Sequence, residues 1–288
     1  MSLAPGVVPD TGGVRGVPAP PTPSPQRLLL AFYGSLVLDR EDRQRVRSRI
    51  LLDMLNSLGV TESAARAALN RMVRIGLLDR TQRGRVAEFG LTPQSLEMLR
   101  EGRARVEAED PFTPDAEEWT LLGYTVPELR RDIRHRLRSE LAWAGFGRVQ
   151  DGLWIAPGVV DPRRVLERVD ATDVVTFAFA GRPIGGSASE HFVREAWDLN
   201  MIESEHRSFA SMWSDLRGRS MNPVAAFTAL VADWLHLLAR DPGLPARFLP
   251  EDWPSSQSVR VYRHAHEMLG HPAELMLTRM LDSSSATR

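Results

Sequence analysis

The sequence predicts an α+β protein that is mainly helical, and three observations lead there. A helix, a glycine turn, a second helix and an arginine-tipped hairpin run in that order from Ser48 to Thr92. Strand-like and helical stretches alternate between Trp119 and Ala180, and from about Ser189 onward the pattern is helical with few strand signals. These shifts divide the chain into a tail over 1–26, a helix–hairpin domain over 27–109, an α+β domain over 110–186 and a helical domain over 187–288.

The tail is rich in Pro and Gly, nearly free of charge and poor in aromatics, a composition that cannot build a core. Arg27 to Leu38 contains the apolar run Leu28-Leu29-Leu30-Ala31-Phe32 and predicts the first helix. Ile50, Leu51, Met54, Leu55 and Leu58 recur at helical spacing. Gly59 can take the positive φ that ends this helix. Thr61 is a good N-cap because its hydroxyl can accept an orphan backbone N–H, and Glu62 suits the positive end of the next helix. That helix, Glu62 to Ile75, splits into an apolar face of Ala65, Leu69, Met72 and Val73 and a polar face of Ser63, Arg66, Asn70 and Arg74, with Ala67 and Arg71 beside it. Gly76 closes it. Leu77 to Asp79, the Gly84 turn and Val86 to Leu91 then form a hairpin tipped by Arg80, Arg83 and Arg85. This order is that of a winged helix-turn-helix.

The polar face has the chemistry of a DNA-reading helix. Arginine pairs bidentately with guanine and asparagine with adenine. Ser63 near the helix start can hold a phosphate, and Ala67 is small enough for close approach to the groove. Ser63, Arg66, Ala67, Asn70, Arg71 and Arg74 on the helix, with Arg83 and Arg85 on the wing, are the candidate DNA-binding residues. The competing interpretation is an ordinary helical hairpin with a solvated charged face. Charge favours the first. Arg27 to Arg105 carries 15 arginines against 9 acids, whereas Val106 to Arg288 carries 20 against 27, although the net charge is only −1.

With 288 residues, 43% of them apolar, the chain can bury a sizeable core. Cysteine is absent, which excludes disulfides, thiolate metal sites and a cysteine nucleophile. No apolar run could span a bilayer and no signal-peptide core is visible, so a cytoplasmic location without membrane contact is expected. All 36 basic residues are arginine, which base composition explains.

Asp110 to Asp115, with two prolines, is the expected linker. Beyond it, Trp119 to Val126 is strand-like, and Pro127 to Ala144 is an amphipathic helix with Leu129, Ile133, Leu137 and Leu141 on one face. Val149 to Ala156 is strand-like, Arg163 to Val169 helical and Val174 to Ala180 a further strand. The alternation suggests a ferredoxin-like sandwich.

Enzyme motifs fail on spacing. His266 and His271 lie five apart, about 140° around a helix, whereas a zinc-protease pair needs i and i+4. Gly145-Phe146-Gly147 follows a helix and lacks a third glycine. Gly185-Gly186-Ser187-Ala188-Ser189 lacks the second glycine of a nucleophile elbow and reads as a loop. A metal nuclease in the middle domain is disfavoured because Trp119 to Thr125 holds no carboxylate. No catalytic residue, metal ligand or cofactor is expected.

Several strings together resemble the PaaX family of repressors of phenylacetate degradation. They are Ala65 to Val73 with Gly76-Leu77-Leu78, Trp119-Thr120-Leu121, Ala144-Gly145-Phe146-Gly147, Gly152 to Pro157, Ala196-Trp197-Asp198-Leu199, and Arg240 to Pro245 with Leu249 to Pro254. The last, punctuated by prolines, is the most specific. The resemblance implies a winged helix, a ferredoxin-like middle domain similar to the CRISPR adaptation nucleases, and a helical C-terminal domain. It further implies a homodimer that binds double-stranded operator DNA and releases it on binding an aryl- or acyl-CoA effector. The family's His-x-x-Arg before Arg-Asp-Pro is replaced here by Ala232 and Leu235, which leaves the effector open.

Arg130, Arg134 and Arg138 lie four apart on one helix face and are the candidate effector-binding row, since guanidiniums grip phosphates bidentately. Such a row is more often a solvated face, and it could also touch DNA flanking an operator. Trp197, Trp213 and Trp234 could line an aryl pocket, although tryptophans at helical spacing are more often core. The expected function is a ligand-responsive transcriptional regulator. The alternatives are a regulator governed by a protein partner through the C-terminal domain and, behind it, a metal-dependent nuclease.

Overall fold

The computed structural model describes residues 23–283 apart from 85, 113–116, 127–129, 170–173, 183, 185–186 and 217–220. Most of the tail, Arg85 and the start of the expected 127–144 helix therefore lie outside the described residues.

The first helix, α1 (Pro25–Phe32), starts where Ser24 accepts the Arg27 N–H at 3.3 Å and Pro25 occupies the first turn. It runs into a π-helical turn, Tyr33–Val37. Asp39 follows with φ 59°. Its carboxylate accepts Arg100 Nη2 at 2.7 Å and Arg103 Nη1 at 2.9 Å, tying this turn to a later helix. A short strand β1 (Arg45–Arg47), α2 (Ser48–Ser57) and α3 (Glu62–Arg74) come next. The hairpin β2 (Leu78–Arg83) and β3 (Val86–Leu91) leads into α4 (Pro93–Val106), capped by Thr92 through the Ser95 N–H at 3.2 Å. The three strands form an antiparallel sheet in the order β1-β3-β2. The sequence reading did not foresee β1, because three residues carry too little alternation to show.

The middle region runs β4 (Trp119–Thr125), α5 (Arg131–Trp143), β5 (Gly147–Gln150), β6 (Leu153–Pro157), α6 (Arg163–Val169) and β7 (Val175–Gly181). Its sheet order is β5-β6-β4-β7, antiparallel at every neighbouring pair. The single strand expected over 149–156 is two, because Asp151-Gly152 makes a tight turn with Gly152 at φ 77°. One sheet face, with Leu122, Trp154 and Ala156, packs on Ile133, Leu137 and Leu141 of α5 and Val165 and Val169 of α6.

The C-terminal region contains α7 (Ser187–Ala196), α8 (Leu199–Trp213), α9 (Pro223–Arg240) and α10 (Ser255–Ser283). Ser187 to Ser189, read as loop, open α7. Helix α9 is apolar almost all round and among its residues only Arg240 is exposed. A helix of that kind has to be wrapped. It touches α1, α2, α4, α5, α8 and α10. Leu28, Leu29 and Phe32 of α1 therefore share one buried cluster with Phe209, Trp213, Phe227, Trp234 and Tyr262. Trp234 stacks on Tyr262 with ring centroids 4.2 Å apart. Trp213 and Trp234 are core residues. Trp197 packs in a smaller cluster with Trp119 and Leu244.

Trp234→Ala removes the stacked ring at the centre of this cluster. It should destabilise the chain by about 3–5 kcal/mol, read as a lowered urea midpoint. A second expectation concerns acid. The Arg100 hydrogen bond, with the charges of Arg100 and Arg103, outweighs the opposing effect of desolvation and holds Asp39 below the ordinary carboxylate range. Its contribution is present above the unfolded aspartate pKa and is lost as pH falls through the depressed folded value. Asp39→Asn should lower the melting temperature at neutral pH and flatten the acid limb of a melting-temperature–pH curve.

Candidate nucleic-acid interface

Helix α3 is positioned by its two ends. Gly59, at φ 79°, turns the chain out of α2. Thr61 then caps α3 by accepting the Ala64 N–H at 3.3 Å. At the other end Gly76 has φ 76° and sends the chain straight into β2. Between the caps Ala65, Leu69 and Met72 are buried against the core, which fixes the rotation of the helix. Ser63, Arg66, Ala67, Asn70, Arg71 and Arg74 consequently all reach solvent.

Two of these side chains have local partners. Arg66 donates to Glu62 Oε1 through Nε at 2.9 Å and Nη2 at 2.6 Å. Both side chains are well exposed, so this i, i+4 pair is weak and a phosphate or base edge can displace it. The Ser63 hydroxyl lies 3.2 Å from that of Thr61.

The hairpin is braced from β1. Register places Arg45 opposite Gly90 and Gly90 opposite Asp79. Arg45 reaches across β3 to grip Asp79 bidentately, at 3.0 and 2.7 Å, and also donates to Thr81 at 2.9 Å. Gly90 makes this possible, since a Cβ there would come within 2.9 Å of the Gln44 carbonyl oxygen and 3.0 Å of the Asp79 carboxylate. Beyond this clamp Arg80 and Arg83 are exposed, and Gly84 turns the chain at φ 64°. Arg85 is outside the described residues. Sequence reasoning missed Arg45, whose only signal was its alternation with Val46 and Arg47. The face of α3 and the outer hairpin together present guanidiniums and an amide to solvent, the donor set that phosphates and purine edges accept.

The arginine row on α5 is partly occupied. Arg134 donates to the Val126 carbonyl at 3.2 Å, and Arg138 lies 3.5 Å from Asp151 Oδ1. Arg130 stands just before the first turn.

A third constellation was not visible in the sequence. His206 lies 2.9 Å from Ser258 Oγ through Nδ1 and 2.9 Å from Asp241 Oδ2 through Nε2. Asp241 also accepts the Gly243 N–H at 2.7 Å. The set resembles a hydrolytic triad, but all three side chains are buried, so no substrate reaches the hydroxyl. It is a satisfied polar stitch joining α8, the loop after α9 and α10. Among the described residues no group of three His, Asp or Glu is arranged to hold a metal ion, and no helix is long and apolar enough to cross a membrane.

The fold and this face define a mixed helical and sheet protein. Its arginine-bearing helix and hairpin are held out from a core shared with the C-terminal helices. The chain belongs to the PaaX family. Residues 24–95 match the family described as PaaX-like protein, residues 113–193 the PaaX protein central Cas2-like domain, and residues 197–279 the PaaX-like protein C-terminal domain. A similar protein is the transcriptional repressor PaaX of Escherichia coli (strain K12), 26% identical over 240 residues, covering 78% of this chain and 74% of that one. A solved structure, uncharacterized protein Rv0674 from Mycobacterium tuberculosis, is 22% identical with a TM-score of 0.53 and covers 89% of this chain and 99% of that one. That likeness shows the fold.

Thr61→Ala removes the cap of α3 and should cost about 1 kcal/mol, whereas Thr61→Asp should cost almost nothing. Urea titrations of the two variants beside the parent chain test this.

Proposed function

We propose that this chain is a transcriptional regulator, a repressor, that binds double-stranded operator DNA as a homodimer. In this reading 27–109 is a winged helix-turn-helix domain in which α2 and α3 are the helix pair and the β2–β3 hairpin is the wing. The observation that carries the reading is the exposed face of Ser63, Arg66, Ala67, Asn70, Arg71 and Arg74 beside the braced, arginine-bearing hairpin. The E. coli relative named as a transcriptional repressor supports it. Arg66, Asn70 and Arg71 enter the major groove. Arg74, Arg83 and Arg85 take phosphates or the minor groove, and Ser63 and Ala67 sit where the helix start meets the backbone.

The middle unit, 110–186, is a ferredoxin-like sandwich, consistent with its β-α-β-β-α-β element order. The unit over 187–288 is the helical C-terminal domain. An acyl-CoA-type effector releases the DNA, and Arg130, Arg134 and Arg138 are candidates for its phosphates. The protein performs no catalysis, needs no cofactor and works in the cytoplasm.

A gel shift on the DNA upstream of its own gene tests this. A dimer predicts a near-palindromic site with half-sites a helical turn, roughly 34 Å, or a multiple apart. Arg66→Ala should relax base preference by about 1–3 kcal/mol at one position. Arg83→Ala should weaken all sequences alike and make the logarithmic salt dependence shallower by about 0.9. Wild-type binding by both variants would remove α3 and the hairpin from the interface.

A further inference from the structure

Helix α3 carries a single acid, Glu62, beside the exposed Arg66, Asn70, Arg71 and Arg74. A carboxylate on a face turned to a polyanion is repelled by it, so its presence there calls for a reason. Position supplies part of one, because Glu62 opens the helix and suits its positive end. Its hydrogen bonds supply the rest.

Arg66, one turn on, gives Glu62 Oε1 both its Nε–H, at 2.9 Å, and an Nη2–H, at 2.6 Å. A guanidinium holds five N–H donors in fixed, coplanar directions, and these two share one side of the plane. The fork at its end, one N–H from Nη1 and one from Nη2, is not used by Glu62, and Nη1 has no hydrogen-bond partner among the described residues. An arginine fork of this kind fits guanine O6 and N7. A guanine edge therefore meets an open fork while Glu62 stays in place. In water the pair is weak because both side chains are exposed. Between a helix and base edges, where water is excluded, the same bonds hold the guanidinium plane more firmly. An unbraced arginine keeps its rotamer freedom and serves a phosphate as readily as a base.

We propose that Glu62 determines sequence specificity as the positioning residue of Arg66. Its carboxylate fixes the guanidinium plane so that the end fork addresses a guanine edge. Its charge weakens attachment to phosphates, which carry no sequence information, and specificity gains from such repulsion as much as from attraction. This role rests on the reading of α3 as the helix that enters the major groove.

The test is binding-site selection by the full chain from a randomised duplex pool, followed by anisotropy titration of the selected duplex, its guanine-substituted versions and a random duplex. Glu62→Ala should reduce the preference for guanine at the position read by Arg66 by about tenfold and should tighten binding to the random duplex. Glu62→Gln keeps a carbonyl acceptor at the same reach without the charge. It should retain most of the guanine preference and still tighten the random duplex. In an Arg66→Ala background, Glu62→Ala should change the preference no further. If Arg66→Ala relaxes the guanine preference and Glu62→Ala does not, the proposal is overturned while the reading of α3 stands. Equal weakening of every duplex by Glu62→Ala, with a lowered melting temperature, leaves Glu62 a helix-end role alone and overturns it as well. A selected site with no preference that depends on Arg66, or no selected site at all, removes α3 from the groove and the proposal with it.

Discussion

The rest of the structure depends on the burial of α9. Val224 to Leu238 is apolar on nearly every side, and no single neighbour can cover a helix of that kind. The chain supplies the cover from both ends of its sequence. Helices α8 and α10 come from the same region, but α1 comes from about two hundred residues earlier and packs directly on α9. The N-terminal region thus has no hydrophobic core of its own that stops at the linker. Leu28 and Phe32 belong to the same cluster as Phe227 and Trp234.

Once α9 is wrapped, its exit has to be organised, and a buried polar network does this. Asp241, the residue after α9, accepts from His206 and from the Gly243 backbone, while His206 meets Ser258 at the start of α10. Such a network is favourable only when every member is satisfied, which explains why the chain around it is so constrained. Arg105 of α4 donates to the carbonyls of both Asp241 and Trp143, so all three regions meet at one guanidinium. Burial pulls that group below its ordinary pKa range, and the charge of Asp241 partly offsets the effect. The Pro-punctuated string near Asp241 and the glycine string after α5 are neighbours here. Gly145 faces Pro242, and a Cβ at Gly147 would collide with the ring of Trp197.

The charged face of α3 is built on a different principle. Its arginines are exposed and Arg66 is held only by a weak ion pair with Glu62, so little has to be broken for a polyanion to approach. The rigidity lies underneath, in the caps of α3 and in the Arg45–Asp79 clamp. Exposed donors therefore stand on a helix whose position is fixed.

Local rules made much of this chain legible in its sequence. The cap at Thr61, the glycines at 59 and 76 and the split of α3 into two faces follow from short-range chemistry, and the structure has each of them. So do β4, α6 and β7, because their apolar patterns have the right period and length. The strings that carried the family resemblance were legible for the same reason. What only the tertiary structure decided depends on contacts between distant residues. The π-helical turn and the positive φ of Asp39 arise where Arg100 and Arg103 reach back to it. Strand β1 exists because β3 offers it a partner. The pairing of Arg45 with Asp79 and the burial of His206 with Asp241 and Ser258 leave no trace in spacing. Their members are far apart in sequence, and only the folding of distant elements onto one another, as of α1 onto α9, brings the surroundings together.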